Sequence, residues 1–168
     1  MDAIFEFKCI KCGEVHKGKP TFGADAPASY YDIPEAERND RCSIGTDDCT
    51  IEGKCFFARG CLEIPVKGAQ DPFVWGVWVS LSKASFTEWL AHFGKGERSH
   101  VGPFFGWLDT TIMPYPQTRN LKTRVHLRDN GVRPYIELEP TDHPLAIEQH
   151  RGITIDRVAE IYSIITHE

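Results

Sequence analysis

"FVWGVWVSL", residues 73 to 81, sets Phe73, Trp75, Val77, Val79 and Leu81 on alternate positions, the two-residue period of a strand with one buried face. Trp78 falls on the other face. The next segment, "SKASFTEWLAHFG" (82–94), carries Ser85 with Glu88 three residues later and Gly94 at a natural stop. That capping-box pattern predicts a helix over 86–93. Before this pair, residues 54 to 66 read as a further strand. After it, "LKTRVHL" (121–127), Asp129-Asn130-Gly131 and "VRPYIEL" (132–138) spell a hairpin, because Asn-Gly tolerates the positive φ angles of tight turns. Pro134 places the returning strand at a sheet edge or starts it one residue later.

Two helices end the chain. The first runs from about His143 to Arg151, with Pro144 in its first turn and Gly152 at its stop; Asp142 is a candidate cap. The second spans Ile155 to Thr166, with Thr154 as N-cap and Asp156 in the first turn. Ile155, Val158, Ala159, Ile161, Tyr162 and Ile165 give it an apolar stripe to lay on the sheet. Strands and helices neither alternate strictly nor repeat. The economical class is α+β, a mainly antiparallel sheet with a metal knuckle at its N-terminal end and two C-terminal helices. One domain over 1–168 suits the length, with 1–52 holding the knuckle and a wrapped loop.

The knuckle lies in "FKCIKCGEVHKG" (7–18), reached by a strand over 3–8 in which Ala3, Phe5 and Phe7 alternate with Ile4, Glu6 and Lys8. Residues 17–41 follow as a Pro-, Gly- and Asp-rich loop with one short helical candidate over 34–38. Cys9-x-x-Cys12 can aim two sulfurs at one zinc ion about 2.3 Å away, and Gly13 allows the tight turn that points N–H groups at the thiolates. His16 is the nearest further ligand. Cys49, in the polar stretch "GTDDCTIEG" (45–53), is the other candidate, since closing the intervening loop costs entropy that rises only slowly with length. Cys55 and Cys61 fall in an apolar run and read as small packed hydrophobes, and Cys42 has no partner at ligand spacing. A redox pair opens a helix, which "GEVHKGKP" does not favour, and residues 42–61 are too loosely spaced for an iron–sulfur cluster. Two reduced, metal-free thiols are the remaining reading.

Composition narrows the partners. The formal charge is −5 over 168 residues, and no basic run offers a nucleic acid a docking stripe. Met1-Asp2-Ala3-Ile4 lacks a basic leader and no window reaches about 18 apolar residues, which predicts a cytoplasmic chain without a membrane partner. Thiols stay reduced there, so six cysteines favour metal ligands or buried thiols over disulfides. "TDHPLAIEQHRG" (141–152) gathers Asp142, His143, Glu148, Gln149 and His150 at a helix start, suiting either a polar pocket wall or capping; His143 and His150 are not spaced as a zinc-protease pair. "FGKGE" (93–97) is a turn, not a phosphate loop. Arg59 interrupts an apolar run and must reach solvent or a carboxylate. Trp107, Asp109 and Tyr115 mark irregular segments where rings could line a groove.

"FKCIKCGEVH", Asp47-x-Cys49-x-Ile51, "FFARGCLEIPV", "GVWVSLS", "YPQT" and "TDHPLAIEQHRGI" together resemble, nearly end to end, a bacterial family known as domain of unknown function 2199. The resemblance implies a bacterial cytosolic protein and a pattern that includes Cys9, Cys12, His16 and Cys49, with Cys42, Cys55 and Cys61 as extras. It brings no activity with it. The functional expectation is a soluble domain with a structural zinc, acting on an unidentified protein or small-molecule partner as a binding module. The alternatives are a hydrolase-like zinc enzyme, with an open metal position and help from Asp142, His143 or Glu148, and a toxin-neutralising partner protein.

Overall fold

The computed structural model describes residues 5–18 and 21–166; at 5, 7 and 16–18 it describes the backbone alone. Its centre is the long antiparallel pair β6 (Cys55–Ile64) and β7 (Phe73–Leu81), in register from Phe56↔Leu81 to Ile64↔Phe73. The alternation in 73–81 sets the inner face: Phe73, Trp75, Val77 and Val79 meet Ala58, Leu62 and Ile64, all buried. β8 (Phe104–Leu108), β9 (Lys122–His126) and β10 (Tyr135–Leu138) continue the meander. β10 then lies beside β6, through Tyr135↔Cys61, and the five strands close into a barrel. Gly106 permits the packing, since a Cβ there sits 2.3 Å from Val79 Cγ1 and 2.8 Å from the Ser80 carbonyl.

Among the described residues the sheet is therefore mixed: six of its eight pairings are antiparallel, but the barrel closes through a parallel one. An up-and-down run of five strands brings its first and last members together in the same direction, so closure forces a parallel seam. β3 (Thr21–Gly23) adds a second parallel pairing on the outer edge of β7. The seam is short. Beyond Tyr135 the side chain of Gln149, on α4 (Pro144–Arg151), takes the place of a strand: its Oε1 accepts from the Leu138 amide at 2.8 Å and its Nε2 donates to the Ile136 carbonyl at 2.8 Å.

Trp78 explains the outer layer. On the opposite face of β7 it anchors a second core with Ile33, Cys49, Ile51 and Phe57. β4 (Cys42–Ile44) and β5 (Asp48–Ile51) extend the sheet from β6 to carry two of these residues. The expected wrapped loop is more structured than its composition suggests, with α1 (Ala28–Tyr31), a 3-10 turn at Glu35–Glu37 and α2 (Arg38–Arg41). The Trp78 indole donates to the Ala24 carbonyl at 3.0 Å and ties that layer down.

α3 (Lys83–His92) begins three residues earlier than the Ser85 signal suggests, because Ser82 is the cap: its Oγ accepts from the Ser85 amide at 3.1 Å. α5 (Ile155–Thr166) has the predicted bounds, and Thr154 Oγ1 accepts from the Arg157 amide at 3.1 Å. It buries Val158 and Ile161 in the main core. β1 (Phe5–Lys8) and β2 (Val15–Gly18) form a separate hairpin lying against α5; the expected strand residues 3 and 4 fall outside the described ones. No helix among the described residues is long and apolar enough to cross a membrane.

Candidate metal centre

The turn between β1 and β2 is built around Cys9. Its amide donates to the Glu14 carbonyl at 2.8 Å and its carbonyl accepts from the Gly13 amide at 2.9 Å, with Gly13 at φ +75°. That left-handed residue lets the chain fold back within five residues. The Lys11 amide then points at Cys9 Sγ from 3.4 Å, an N–H to sulfur contact that favours a thiolate. Cys9 is 1% exposed, packed on Ala159 and Tyr162 of α5, while Cys12 lies at the exposed tip. The Ile10 amide donates to Ser163 Oγ at 3.4 Å and docks the turn on the helix.

These contacts set the charge on sulfur. Burial raises the Cys9 pKa, but the hydrogen-bonding groups around its sulfur, among them the Cys12 and Lys11 backbones, outweigh it and bring the value below its ordinary one; the Ser163 hydroxyl beside it is shared with the Ala159 carbonyl at 2.7 Å. Ser163 was missed in the sequence. Its signal was the small pair Ala159 and Ser163, one turn apart on the stripe of α5, which allows the hairpin to approach the helix closely.

The other predicted ligands stand differently. The register sets His16 opposite Phe7 on β2, and its side chain lies outside the described residues. Cys49 is not brought to the knuckle: it is fully enclosed in the second core, paired with Phe57 across β5 and β6. Burial first, then the charges of Cys42, Asp48 and Asp109, push its thiol up to about 12. Among the described residues no group of three His, Cys, Asp or Glu side chains gathers as a metal would require. Of the two cysteines expected to pack in β6, Cys55 is exposed and Cys61 half-buried. Cys55 opens the strand beside the Gly53 turn, where the apolar run has not yet reached the core.

The polar run 141–152 resolves into clamps. His143, not Asp142, caps α4: Nδ1 accepts from the Leu145 amide at 3.1 Å, leaving Nε2 to meet the Gln117 carbonyl at 3.0 Å. His150 Nε2 meets the Leu138 carbonyl at 2.7 Å. Glu148 takes the Tyr115 hydroxyl on one oxygen and Arg157 Nε, at 2.8 Å, on the other; Arg157 also lies over the Tyr115 ring. Burial first, and then Glu148, raise the Tyr115 pKa. Asp109, 5% exposed, accepts from the Ser29 amide at 3.0 Å and seats α1. Arg59 spreads over Trp78 and reaches the Thr46 carbonyl at 3.2 Å. His143, His150, Glu148, Asp109 and Arg59 thus each hold a structural contact, although among the described residues Arg59 Nε is buried without a hydrogen-bond partner.

No curated protein and no solved structure matches the chain. A family model described as an uncharacterised protein conserved in bacteria, DUF2199, matches residues 8–153. That stretch runs from the residue before the knuckle through the barrel and α4, and the chain belongs to the DUF2199 family of bacterial proteins.

Proposed function

We propose that the Cys9–Cys12 turn binds zinc as a structural staple, holding the β1–β2 hairpin on α5, and that the barrel works as a binding module. The turn carries the reading: Cys9 is buried on α5 with backbone N–H groups directed at its sulfur, and Cys12 lies three residues on, directly before the chain reversal at Gly13. Two thiolates so arranged supply half a tetrahedral zinc shell. His16, the second residue of β2, is the third ligand in this proposal. Cys49 is left out of it, since Phe57, Trp78 and Ile33 enclose its sulfur. An enzymatic role has less support, because His143 and Glu148 are spent on capping and pairing.

The test is elemental analysis of protein purified without added metal, beside Cys12→Ser and His16→Ala. The expected result is zinc near one equivalent, lost in Cys12→Ser and weakened in His16→Ala, with the barrel still folded and the hairpin amides exchanging faster. Native protein without zinc, or a Cys12→Ser variant that keeps it, refutes the staple.

A further inference from the structure

A cavity of about 140 Å³ lies between the C-terminal turn of α3, the segment 131–134 before β10 and Asp47 ahead of β5. Trp89, Phe93 and Pro134 give it apolar surfaces, the two rings meeting edge-on at 5.3 Å between centroids. Its charged wall consists of Arg98, Arg133 and Asp47. Arg133 Nε donates to Asp47 Oδ1 at 2.8 Å, which sets one positive charge against the single negative one. The Arg98 charge is left over.

That charge is buried. Arg98 is 4% exposed, and its guanidinium donates to the carbonyls of Arg128 at 2.7 Å, Phe93 at 2.7 Å and Val132 at 2.9 Å. These bonds clamp the hairpin turn to the end of α3, but neutral carbonyls bring no opposite charge. Among the described residues Arg98 forms no ion pair, and Asp129 takes its amide at 2.8 Å rather than its guanidinium. A buried cation without an anion is costly, and an anion in the cavity relieves it. Donors stand ready beside it. Trp89 is 1% exposed, and its indole nitrogen, unlike that of Trp75, is not sealed off, yet it has no hydrogen-bond partner among the described residues. Arg133 has no bond from its two terminal amino groups, and three carbonyls leave Arg98 two of its five N–H groups. The clamp on Arg98 fixes its guanidinium before any ligand arrives, which lowers the ordering cost of binding.

We infer that this cavity binds a small, flat monocarboxylate, its carboxylate between Arg98 and Arg133 and its body against Trp89, Phe93 and Pro134. One surplus positive charge in the wall suits a monoanion better than a phosphate dianion, and the apolar surfaces suit a carbon skeleton better than an inorganic ion. Cavities of roughly 150 Å³ accept benzene, so this volume suits a single ring. The inference names the ligand class for the binding module proposed above, and it does not depend on zinc.

The test sets benzoate against benzamide, which has the shape without the charge. Titration of ¹⁵N-labelled protein follows the Trp89 indole resonance, assigned with Trp89→Phe. Arg98 itself is left in place, because its loss strands three carbonyls; Arg133→Gln and Asp47→Asn change the charge of the wall from less buried positions instead. Benzoate is expected to shift the Trp89 resonance saturably, with benzamide about tenfold weaker, as the loss of a charge-assisted hydrogen bond gives. Arg133→Gln is expected to weaken benzoate about tenfold, and Asp47→Asn, which frees Arg133, to tighten it about threefold. A purely structural role for the Arg133–Asp47 pair moves both variants in the same direction. A Trp89 indole unmoved by benzoate, equal affinity for the two probes, or equal weakening by the two variants overturns the inference. Zinc is measured on the same sample, so that a zinc-free protein which binds benzoate removes the staple alone, and a zinc-loaded protein blind to benzoate removes this site alone.

Discussion

Replacing Gln149 by leucine keeps most of the side-chain volume and removes the amide that seals the barrel seam. Gln149 is 3% exposed, and its two short bonds serve the Leu138 N–H and the Ile136 carbonyl, which face β6 where the ladder has already stopped. Each stranded backbone group costs about 1–3 kcal/mol, or about 2–6 kcal/mol for the two. Leucine returns about 1–2 kcal/mol through its more apolar surface, leaving a net loss centred on about 2.5 kcal/mol. For a chain of this size that lowers Tm by about 5–10 °C. Urea unfolding measures the loss, and hydrogen exchange at the Leu138 amide localises it, since that proton loses its only acceptor. Gln149→Glu separates charge from shape. A carboxylate still accepts from Leu138 but faces the Ile136 carbonyl, whereas the protonated acid can donate. The folded pKa of that glutamate lies above its ordinary value of about 4.3. The variant's stability relative to Gln149 is therefore greatest below that value and falls as the pH rises through the folded pKa. A Gln149→Leu protein within about 0.5 kcal/mol of native, with Leu138 still protected, refutes the sealing role.

Further outcomes follow from the same geometry. In chelator-treated native protein at pH 8, Ellman's reagent modifies the exposed Cys12 and Cys55 first, and enclosed Cys49, its thiol pushed up to about 12, reacts only on unfolding; early labelling of Cys49 by peptide mapping contradicts the second core. The Arg98 and Ser99 amides, followed by the Ser99 hydroxyl, lower the Asp129 pKa. The sign is that of a depressed carboxyl: its stabilisation is present above the unfolded value and is lost as pH falls through the folded one. Asp129→Asn therefore flattens the acid limb of a stability-versus-pH curve, and an unchanged limb counts against it. Gly106→Ala drives a methyl against Val79 and the Ser80 carbonyl and costs about 1–3 kcal/mol in urea unfolding, whereas a neutral result means that β7 and β8 part freely.

Long uninterrupted periods were legible. Residues 73–81 and 155–166 have the predicted bounds because one face of each is continuously buried, and β10 begins directly after Pro134, whose ring cannot donate to the ladder. Closure was not legible, because Tyr135 and Cys61 meet through no local pattern. β8 was hidden for a different reason. Its outward residues, Phe105 and Trp107, are as apolar as the inward Phe104 and Leu108, so the two-residue period vanishes from "FFGWL". Cys49 differs from its reading the other way: a polar neighbourhood suggested a loop able to return to the knuckle, but it lies on β5 against Phe57 in the core that Trp78 anchors. The clue was Trp78 itself, a large apolar side chain on the wrong face of an alternating strand, which requires a second layer to cover it. At α4 the sequence named the right cluster but the wrong cap, since an imidazole can accept from a helix N–H as a carboxylate does.

The knuckle and a neighbouring cavity share one helix. Cys9 packs on Ala159 and Tyr162, Ile10 binds Ser163, and two residues further along Ile165 lines that cavity with Phe22 and Trp75. Tyr162 also meets Phe22 at 5.4 Å, and Phe22 stacks on Trp75. The inner half of α5 needs no staple, because Val158 and Ile161 are sunk in the barrel core. Its last turn has weaker anchors: Ser163 and Thr166 bond back to their own helix, and Ile165 is only partly buried. A cation on Cys9 and Cys12, as proposed, would therefore stabilise the hairpin and this final turn more than the barrel, whose strands close without either. Its removal is then expected to speed amide exchange in the hairpin and the last turn of α5 while the barrel strands stay protected, and equal acceleration in both would count against the staple.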